Sequence, residues 1–267
     1  MSLDVTHGLP EPLARFSLEG RRALVTGASG VLGARFARVL AGAGASVALA
    51  ARRVSAMQSL QAEIVGQGGN AATVGLDLTN ASSIPAVLDR VEAVLGGVAD
   101  IVVNASGIAL PGALLEQPDE DWTAVMAVNL EGARRMAHQA AQRLVAIGAR
   151  GSIVNVASIL GLRQGAGVAA YATSKAALVQ LTKQQALEWA RYGIRVNALC
   201  PGYIETDINR DFFATDAGLA QIKRVPQRRL GQPSELDGAL LLLASEAGSF
   251  ITGTALVVDG GHLLSPL

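Results

Sequence analysis

The amino-acid sequence predicts an α/β fold: a doubly wound parallel sheet of about seven strands with helices on both faces. The first observation is that short apolar runs alternate with longer helical segments along nearly the whole chain. The second is a composition that is 50% hydrophobic but only 4% aromatic, which is typical of Ala-, Val- and Leu-rich strands buried between helices. A chain of 267 residues without an internal repeat or a Pro-rich linker fits one such domain.

Each predicted strand is a short apolar run, and each predicted helix fills the interval before the next strand. The strands are predicted at residues 23–26, 46–50, 72–76, 101–103, 152–156, 195–199 and 255–258. The helices are predicted at residues 31–43, 56–66, 82–95, 122–147 and 169–192, and a further helix opens at Pro233.

The chain is predicted to form a leader followed by one domain. Residues 1–19 are the N-terminal leader, and residues 20–267 are a single domain. Residues 203–232 are its least regular part. Two interpretations of that segment stay open, a mobile lid over a binding site or an ordinary surface connection.

Composition and charge exclude several classes of protein. The net charge is zero and there is no basic block, so no nucleic-acid partner is expected. The longest run without charged residues, 101–115, is too short and too polar to span a membrane. The single Cys200 cannot form an internal disulfide, which fits a reducing cytoplasm, and a buried apolar role is expected for it. The three histidines lack the spacing of metal ligands, so no metal site is expected.

A glycine-rich segment at residues 26–33 lies between the first predicted strand and the first predicted helix. Glycines there let the backbone approach a pyrophosphate, and the helix N-terminus supplies free N–H groups. A turn of this kind also occurs for packing alone. The contacts predicted from it are Gly27, Ser29, Gly30, Val31, Leu32 and Gly33.

A second feature is the pair Tyr171 and Lys175, four residues apart in a predicted helix and therefore on one face. A phenol titrates near pH ~10, and a nearby ammonium favours the phenolate and lowers its pKa. Ser158 lies at the end of the fifth predicted strand, where such sheets bind ligands. Each residue alone has an ordinary structural explanation, but together they predict a proton-transfer site.

These motifs resemble the short-chain dehydrogenase/reductase family over residues 16–264. The family pattern Thr-Gly-x-x-x-Gly-x-Gly is matched by Thr26, Gly27 and Gly33, whereas Val31 replaces the middle glycine. The pattern Asn-Asn-Ala-Gly is matched at its ends by Asn104 and Gly107. The resemblance implies a Rossmann-type domain that binds a dinucleotide and carries out hydride transfer.

The resemblance also implies roles for individual residues. Tyr171 would be the acid/base, Lys175 would lower its pKa and bind the nicotinamide ribose, and Ser158 would hold the substrate oxygen. Asn129 would hold a water that relays protons. Tyr171 and Lys175 also belong to the implied cofactor contacts, whose remaining members are Asp77, Leu78, Asn104, Ala105, Ser106, Gly107, Pro201, Gly202, Ile204 and Thr206. The implied substrate pocket is formed by Ile159, Leu160, Gln164, Tyr203, Phe212 and Phe213.

The end of the second strand indicates the coenzyme. NAD-binding domains of this kind place an acidic residue there, but this chain has Ala51, followed by Arg52 and Arg53. An arginine binds a 2′-phosphate with paired charge-assisted hydrogen bonds. NADP(H) is therefore favoured. NAD(H) stays possible, because both arginines could simply be solvated at a helix start.

The resulting hypothesis is an NADP(H)-dependent oxidoreductase that interconverts a ketone and a secondary alcohol, similar to 3-oxoacyl-thioester reductases. One alternative is an NAD-linked polyol or gluconate-type alcohol dehydrogenase, and another is a non-catalytic nucleotide-binding regulator. The implied pocket is apolar with few charges, which suits a small-molecule substrate of modest polarity. The Ala- and Leu-rich helices at 122–147 and 169–192 predict a homo-oligomer, a dimer or tetramer.

Overall fold

The structure is a computed structural model that describes residues 10–206 and 209–264. Residues 1–9 of the predicted leader and residues 207–208 of the predicted lid segment lie outside the described residues.

Seven strands form one parallel sheet, as predicted. They are β1 (Arg22–Thr26), β2 (Ser46–Ala51), β3 (Asn70–Gly75), β4 (Ile101–Asn104), β5 (Gly151–Val156), β6 (Ile194–Pro201) and β7 (Ala255–Val258). Their order across the sheet is β3-β2-β1-β4-β5-β6-β7. At the last residue of β1, Thr26 pairs with Ala50 of β2 on one side and with Asn104 of β4 on the other.

Helices cover both faces of this sheet. They are α1 (Glu11–Ala14), α2 (Val31–Gly42), α3 (Gln58–Gly66), α4 (Ile84–Leu95), α5 (Asp119–Met126), α6 (Ala133–Ala146), α7 (Ala169–Trp189), α8 (Arg210–Phe213), α9 (Asp216–Ile222) and α10 (Asp237–Ala244). Val25 of β1 packs in one core with Phe36 of α2, while the neighbouring Leu24 packs in another with Val91 of α4 and Met136 of α6. Successive strand residues enter opposite layers because side chains alternate across a sheet. Among the described residues, no helix combines the length and the apolar character needed to cross a membrane.

The order in which strands are added to the sheet reverses between β1 and β4. The strands β2 and β3 lie on one side of β1, and β4 to β7 lie on the other. In open α/β sheets a ligand crevice forms at such a reversal, outside the carboxyl ends of the strands. The turn from β1 to α2 and the loop after β4 flank this crevice. The loops after β5, β6 and β7 lie along the same edge of the sheet.

Most strand and helix boundaries differ from the predictions by one to three residues, and two of the differences have a clear structural cause. The third strand was predicted at 72–76, but β3 is Asn70–Gly75, since its pairing with β2 begins with Ser46 opposite Asn70. The predicted helix at 122–147 begins at Asp119 and is interrupted, because a π-helical segment (Ala127–Gly132) joins α5 to α6. Single π-turns of this kind occur frequently at functional sites.

The described part of the predicted leader packs onto the domain. Leu18 is fully buried and its N–H donates to the carbonyl of Ala43 over 2.8 Å. Arg15 donates to the carbonyl of Glu246 and to the hydroxyl of Ser249. Residues 10–19 are therefore a structural part of the folded domain.

Candidate active site

Two glycines shape the turn between β1 and α2. Gly27 has φ +70°, and a Cβ built on it would lie 2.8 Å from the backbone nitrogen of Ser106 in the loop after β4. A Cβ on Gly33 would lie 2.7 Å from the carbonyl carbon of Gly27. A side chain at either position would therefore collide with backbone. Gly30 differs, because its φ of −93° is open to any residue, and Val31 after it is the first residue of α2.

A cleft lies over this turn, at the crevice between β1 and β4. Ten of the predicted cofactor contacts line it: Gly27, Ser29, Gly30, Arg52, Arg53, Asp77, Leu78, Ala105, Ser106 and Gly107. Five lining residues were not predicted as contacts: Ala51, Leu76, Thr79, Ile108 and Val128. Each of these five residues is adjacent in the sequence to a predicted site residue. The cleft fits a dinucleotide. At Gly27 the backbone itself lines the cleft, at a position where a Cβ would not fit.

The arginines at the end of β2 are exposed on this cleft. Within the described residues, the guanidinium of neither Arg52 nor Arg53 forms a hydrogen bond or an ion pair, although the backbone carbonyl of Arg53 accepts from the N–H of Ala56. Asp77 lies near Arg52, but its carboxylate accepts hydrogen bonds from the hydroxyl of Thr79 at 2.7 Å and the N–H of Thr79 at 3.0 Å. These bonds, more than the charge of Arg52, hold the pKa of Asp77 below its usual range. Asp77 therefore caps the turn that follows it.

The other predicted cofactor residues do not line this cleft. Val31, Leu32 and Gly33 form the first turn of α2. Asn104 is buried at the end of β4, where its amide donates to Asn155 at 2.9 Å and its own Oδ1 has no hydrogen-bond partner among the described residues. Pro201, Gly202, Ile204 and Thr206 follow or end β6. A Cβ on Gly202 would lie 2.6 Å from the Cβ of Asp259, so that this loop packs closely against the end of β7.

The three predicted residues of the proton-transfer site come together beside β5. Lys175 is buried, its Nζ donates to the carbonyl of Val156 at 2.8 Å, and it lies 5.6 Å from the ring centre of Tyr171. Ser158 hydrogen-bonds the phenol of Tyr171 and accepts from the N–H of Leu160 at 3.1 Å. The hydroxyl, the phenol and the ammonium therefore form one cluster at the carboxyl edge of the sheet.

Asn129 is fully buried in the π-helical segment. Its Oδ1 accepts from the N–H of Ile108 at 2.8 Å, and its Nδ2 donates to the carbonyl of Ile108 at 2.9 Å. The same amide donates to the hydroxyl of Ser174, which in turn donates to the carbonyl of Tyr171 at 2.7 Å. Asn129 thus connects the loop beneath the cleft to the helix that carries Tyr171 and Lys175.

Burial dominates the electrostatics of the cluster. It raises the pKa of Tyr171, and the hydrogen bond from Ser158 opposes that shift. It lowers the pKa of Lys175 to about 8. The prediction that the tyrosine pKa is lowered is therefore wrong for the chain by itself. Desolvation destabilises the phenolate by more than the hydrogen bond from Ser158 stabilises it. Cys200 is buried as predicted, and burial raises the pKa of its thiol to about 11.

The predicted substrate residues fall into two groups. Ile159 is only 1% exposed and belongs to the core, whereas Leu160 is half-buried and Gln164 is exposed. The predicted residues Tyr203, Phe212 and Phe213 form an aromatic cluster. The ring of His262, which was not predicted, also belongs to it. The ring centres are 5.3 Å apart for Tyr203 and Phe213, 5.1 Å for Phe212 and Phe213, and 5.0 Å for Tyr203 and His262.

The predicted lid segment, as far as the structure describes it, contains α8 and α9 and is closed at its base. The N–H of Gly231 donates to the carbonyl of Tyr203 at 2.9 Å, and the N–H of Glu205 donates to the carbonyl of Gly231 at 2.8 Å. The two ends of the segment therefore lie side by side. In residues 10–206 and 209–264, no group of three His, Cys, Asp or Glu side chains is placed to hold a metal ion.

The fold and this cleft define a nucleotide-dependent oxidoreductase, and comparison with known proteins gives the family. A family model described as enoyl-(acyl carrier protein) reductase matches residues 27–262. The 2-dehydro-3-deoxy-D-gluconate 5-dehydrogenase of Escherichia coli is 36% identical over 94% of this chain and 98% of its own. The 3-oxoacyl-(acyl-carrier-protein) reductase of Vibrio cholerae is 38% identical over 92% and 98%.

Solved structures agree with this assignment. A short-chain dehydrogenase/reductase from Mycobacterium marinum has a TM-score of 0.90 and 40% identity, covering 94% of this chain and 99% of its own. A gluconate 5-dehydrogenase from Burkholderia cenocepacia, in complex with NADP and tartrate, has a TM-score of 0.89 and 38% identity, covering 95% and 98%. The chain belongs to the short-chain dehydrogenase/reductase family. It is an NAD(P)-dependent oxidoreductase that acts on CH–OH groups.

Proposed function

We propose that this enzyme uses NADP(H) to interconvert a ketone and a secondary alcohol, with Tyr171 as the acid/base. The observation that carries the proposal is the placement of Tyr171 between the hydroxyl of Ser158 and the ammonium of Lys175. A raised pKa keeps the phenol protonated at neutral pH, so Tyr171 can donate a proton to a carbonyl oxygen. Ser158 would hold the same oxygen. The nicotinamide supplies or accepts the hydride when bound.

Lys175 and Asn129 support the proton transfer. The Lys175 ammonium, fixed by the carbonyl of Val156, stabilises the phenolate that forms when Tyr171 gives up its proton. We propose that Asn129 holds a water that returns a proton towards Lys175, because its side chain lies beside Lys175 at the loop of Gly107. A Cβ on Gly107 would lie 3.4 Å from the Nζ of Lys175 and 3.5 Å from the Oδ1 of Asn129.

The choice of NADP(H) rests on Arg52 and Arg53. Two exposed guanidiniums, which form no hydrogen bond or ion pair with any described residue, lie on a cleft that fits a dinucleotide, and Ala51 supplies no carboxylate to repel a 2′-phosphate. A guanidinium pairs with phosphate through two parallel hydrogen bonds. The solved gluconate 5-dehydrogenase that binds NADP adds support, since it shares 38% of its residues with this chain.

The substrate is proposed as a ketone or secondary alcohol carried by a 3-oxoacyl thioester or by a polyhydroxy acid. The relatives include reductases of the first kind and dehydrogenases of the second. For the thioester, the supporting observation is the apolar cluster of Tyr203, Phe212 and Phe213. For the hydroxy acid, it is the guanidinium of Arg163 on the loop that follows Ser158.

The test is steady-state turnover of acetoacetyl thioester with NADPH and of D-gluconate with NADP⁺. Wild-type enzyme should turn over at least one of them, and Tyr171→Phe should lose about 10²–10⁴-fold in kcat. Since Phe keeps the ring in its packed position, the affinity for NADPH should change little. Unimpaired turnover by Tyr171→Phe would refute the acid/base assignment.

We also propose that the enzyme is a homo-oligomer. Leu187 on α7 is 78% exposed, and Val145 and Ile147 are exposed at the end of α6. Large apolar side chains exposed on long helices are typical of surfaces that pack against another copy. Light scattering after size-exclusion chromatography should give a dimer or tetramer, and a monomer at micromolar concentration would contradict this.

A further inference from the structure

A polar site lies where the loops after β5, β6 and β7 meet. Arg163 is in the first loop, Tyr203 in the second and His262 in the third. A guanidinium nitrogen of Arg163 donates to the carbonyl of His262 at 2.8 Å, and the rings of His262 and Tyr203 lie 5.0 Å apart. None of these three residues lines the cofactor cleft or belongs to the proton-transfer cluster.

His262 is an unusual member of this group. It is 6% exposed, and its Nδ1 has no hydrogen-bond partner in the part of the chain that the structure describes. A buried ring nitrogen without a partner carries a free-energy cost that a hydrogen bond to a ligand would remove. Burial, with Arg163 and Arg224 nearby, lowers the pKa of the imidazole below 6.5, so that it is neutral at pH 7. A neutral imidazole can accept a hydrogen bond from a hydroxyl group.

Arg163 has donors to spare. Its guanidinium carries five N–H groups, and the described residues satisfy one position, the bond to His262. It forms no ion pair with any acidic side chain in the described part of the chain. The neighbouring carboxylate of Asp259 is already occupied, since it accepts from the N–H of Gly261 at 2.8 Å and from that of Leu263 at 2.6 Å.

The position of Arg163 places it within reach of a substrate held at Ser158. The N–H of Arg163 donates to the carbonyl of Ile159 at 2.9 Å, which folds the loop into a compact helical turn directly after Ser158. The turn comprises Ile159–Gly161, and Leu162 continues it in a helical conformation, so at a rise of ~2 Å per residue the backbone of Arg163 lies about 10 Å from that of Ser158. That is the length of a small hydroxy acid, with its reacting carbon at one end and its charge at the other.

We propose that Arg163, with His262 and Tyr203, binds the carboxylate end of a polyhydroxy-acid substrate, and that this site selects such an acid over a neutral polyol. The proposal rests on the proposed function and specifies its substrate class. The guanidinium of Arg163 binds the carboxylate through two parallel hydrogen bonds. His262 Nδ1 and the Tyr203 hydroxyl take the adjacent hydroxyl groups.

The experiment is titration calorimetry on NADPH-saturated enzyme, in which alcohols find no hydride acceptor and cannot be oxidised, with three probes: D-gluconate, neutral D-sorbitol and D-sorbitol 6-phosphate. Wild type should bind gluconate at least ~10-fold more tightly than sorbitol. Arg163→Met should weaken gluconate about 10–100-fold, the range for a hydrogen bond to a charged group, and sorbitol less than about 2-fold. Arg90→Met, which removes an exposed guanidinium from α4, should change neither affinity.

Equal affinity of wild type for gluconate and sorbitol would overturn the proposal. So would equal weakening of both by Arg163→Met, the result expected if Arg163 only ties two loops together. Binding of the sugar phosphate in place of gluconate would also overturn it, in favour of a phosphate site. If Arg163→Met does not fold, His262→Phe keeps the ring packing, removes Nδ1 and should weaken gluconate about 3–10-fold.

Failure of the proposed acid/base role of Tyr171 can be distinguished from failure of the proposed binding site at Arg163. Tyr171→Phe leaves the group of Arg163, His262 and Tyr203 in place, so it should bind gluconate as wild type does while losing turnover. Turnover retained by Tyr171→Phe would count against the acid/base assignment and would leave the binding result for Arg163 standing.

Discussion

The ammonium of Lys175 lies 5.6 Å from the ring centre of Tyr171, held there by a hydrogen bond of 2.8 Å to the carbonyl of Val156. That carbonyl belongs to the last residue of β5, next to the strands that surround the crevice. The position of the charge is therefore set by the sheet, and it does not depend on the conformational freedom of a long side chain.

Removal of this charge should affect catalysis more than folding. Lys175→Met should lower kcat for ketone reduction by about 10²-fold or more, because the phenolate of Tyr171 loses its stabilising charge. Lys175→Arg should not restore the rate, since a planar guanidinium does not occupy the site of a compact ammonium. Lys183→Met, on the exposed face of the same helix, is the control and should retain the wild-type rate. Comparable rates for both methionine variants would exclude a role for Lys175.

The buried lysine also predicts how stability depends on pH. Burial lowers the pKa of Lys175 from 10.5 to about 8, so between these values the unfolded chain binds more protons than the folded one. Stability therefore rises with pH above 8, by about 1.4 kcal/mol for each pH unit. The thiol of Cys200 has the opposite effect above pH 9, since its pKa is raised from 9.0 to about 11.

Urea unfolding at pH 7 and pH 9 isolates the contribution of Lys175. Wild type should gain about 1 kcal/mol relative to Lys175→Met over that interval. An identical change in both proteins would show that the folded-state pKa of Lys175 is not lowered.

The coenzyme preference should depend on Arg52. Wild type should bind NADPH at least ~10-fold more tightly than NADH, about 1.4 kcal/mol, and Arg52→Ala should remove that preference. Ala51→Asp should reverse it, because a carboxylate at the end of β2 repels a 2′-phosphate and accepts hydrogen bonds from a 2′-hydroxyl. Titration calorimetry with both coenzymes measures the effect. Equal binding of NADH and NADPH by wild type would instead support the NAD-linked alternative.

Much of the fold could be predicted because its strands are short apolar runs, most of them buried on both faces. The last strand, β7, has the predicted bounds, Ala255–Val258. The π-helical segment could not be predicted, because it depends on a tertiary contact, in which the buried side chain of Asn129 meets the backbone of Ile108. A regular helical pattern in the sequence carries no signal for that distant partner.

The candidate site, like the fold, was only partly predictable from the sequence. Ten residues of the cofactor cleft were predicted, since each lies in the turn or loop that follows a strand. His262 was not, because three loops that are far apart in the sequence bring it to Tyr203 and Arg163. The direction of the pKa shift of Tyr171 was also missed, since a sequence shows the charge of Lys175 but not how deeply the phenol is buried.

The glycine turn gives a matched pair of substitutions. Gly33→Ala should cost about 1–3 kcal/mol of unfolding free energy, because the new methyl group would press against the backbone of Gly27, 2.7 Å from its carbonyl carbon. Gly30→Ala should cost less than about 1 kcal/mol, since its Cβ would approach Gly27 no closer than 3.4 Å and its φ suits any residue.

Urea denaturation and NADPH titration of both variants test this reasoning together. In Gly33→Ala the first turn of α2 must move away from Gly27, so the backbone N–H groups that face the cleft move with it and NADPH affinity should fall with stability. In Gly30→Ala both should stay near the wild-type values. Equal losses in the two variants would mean that the turn requires glycine at both positions. Val31 would then follow a strained residue, and the phosphate cradle would depend on Gly30 as much as on Gly33.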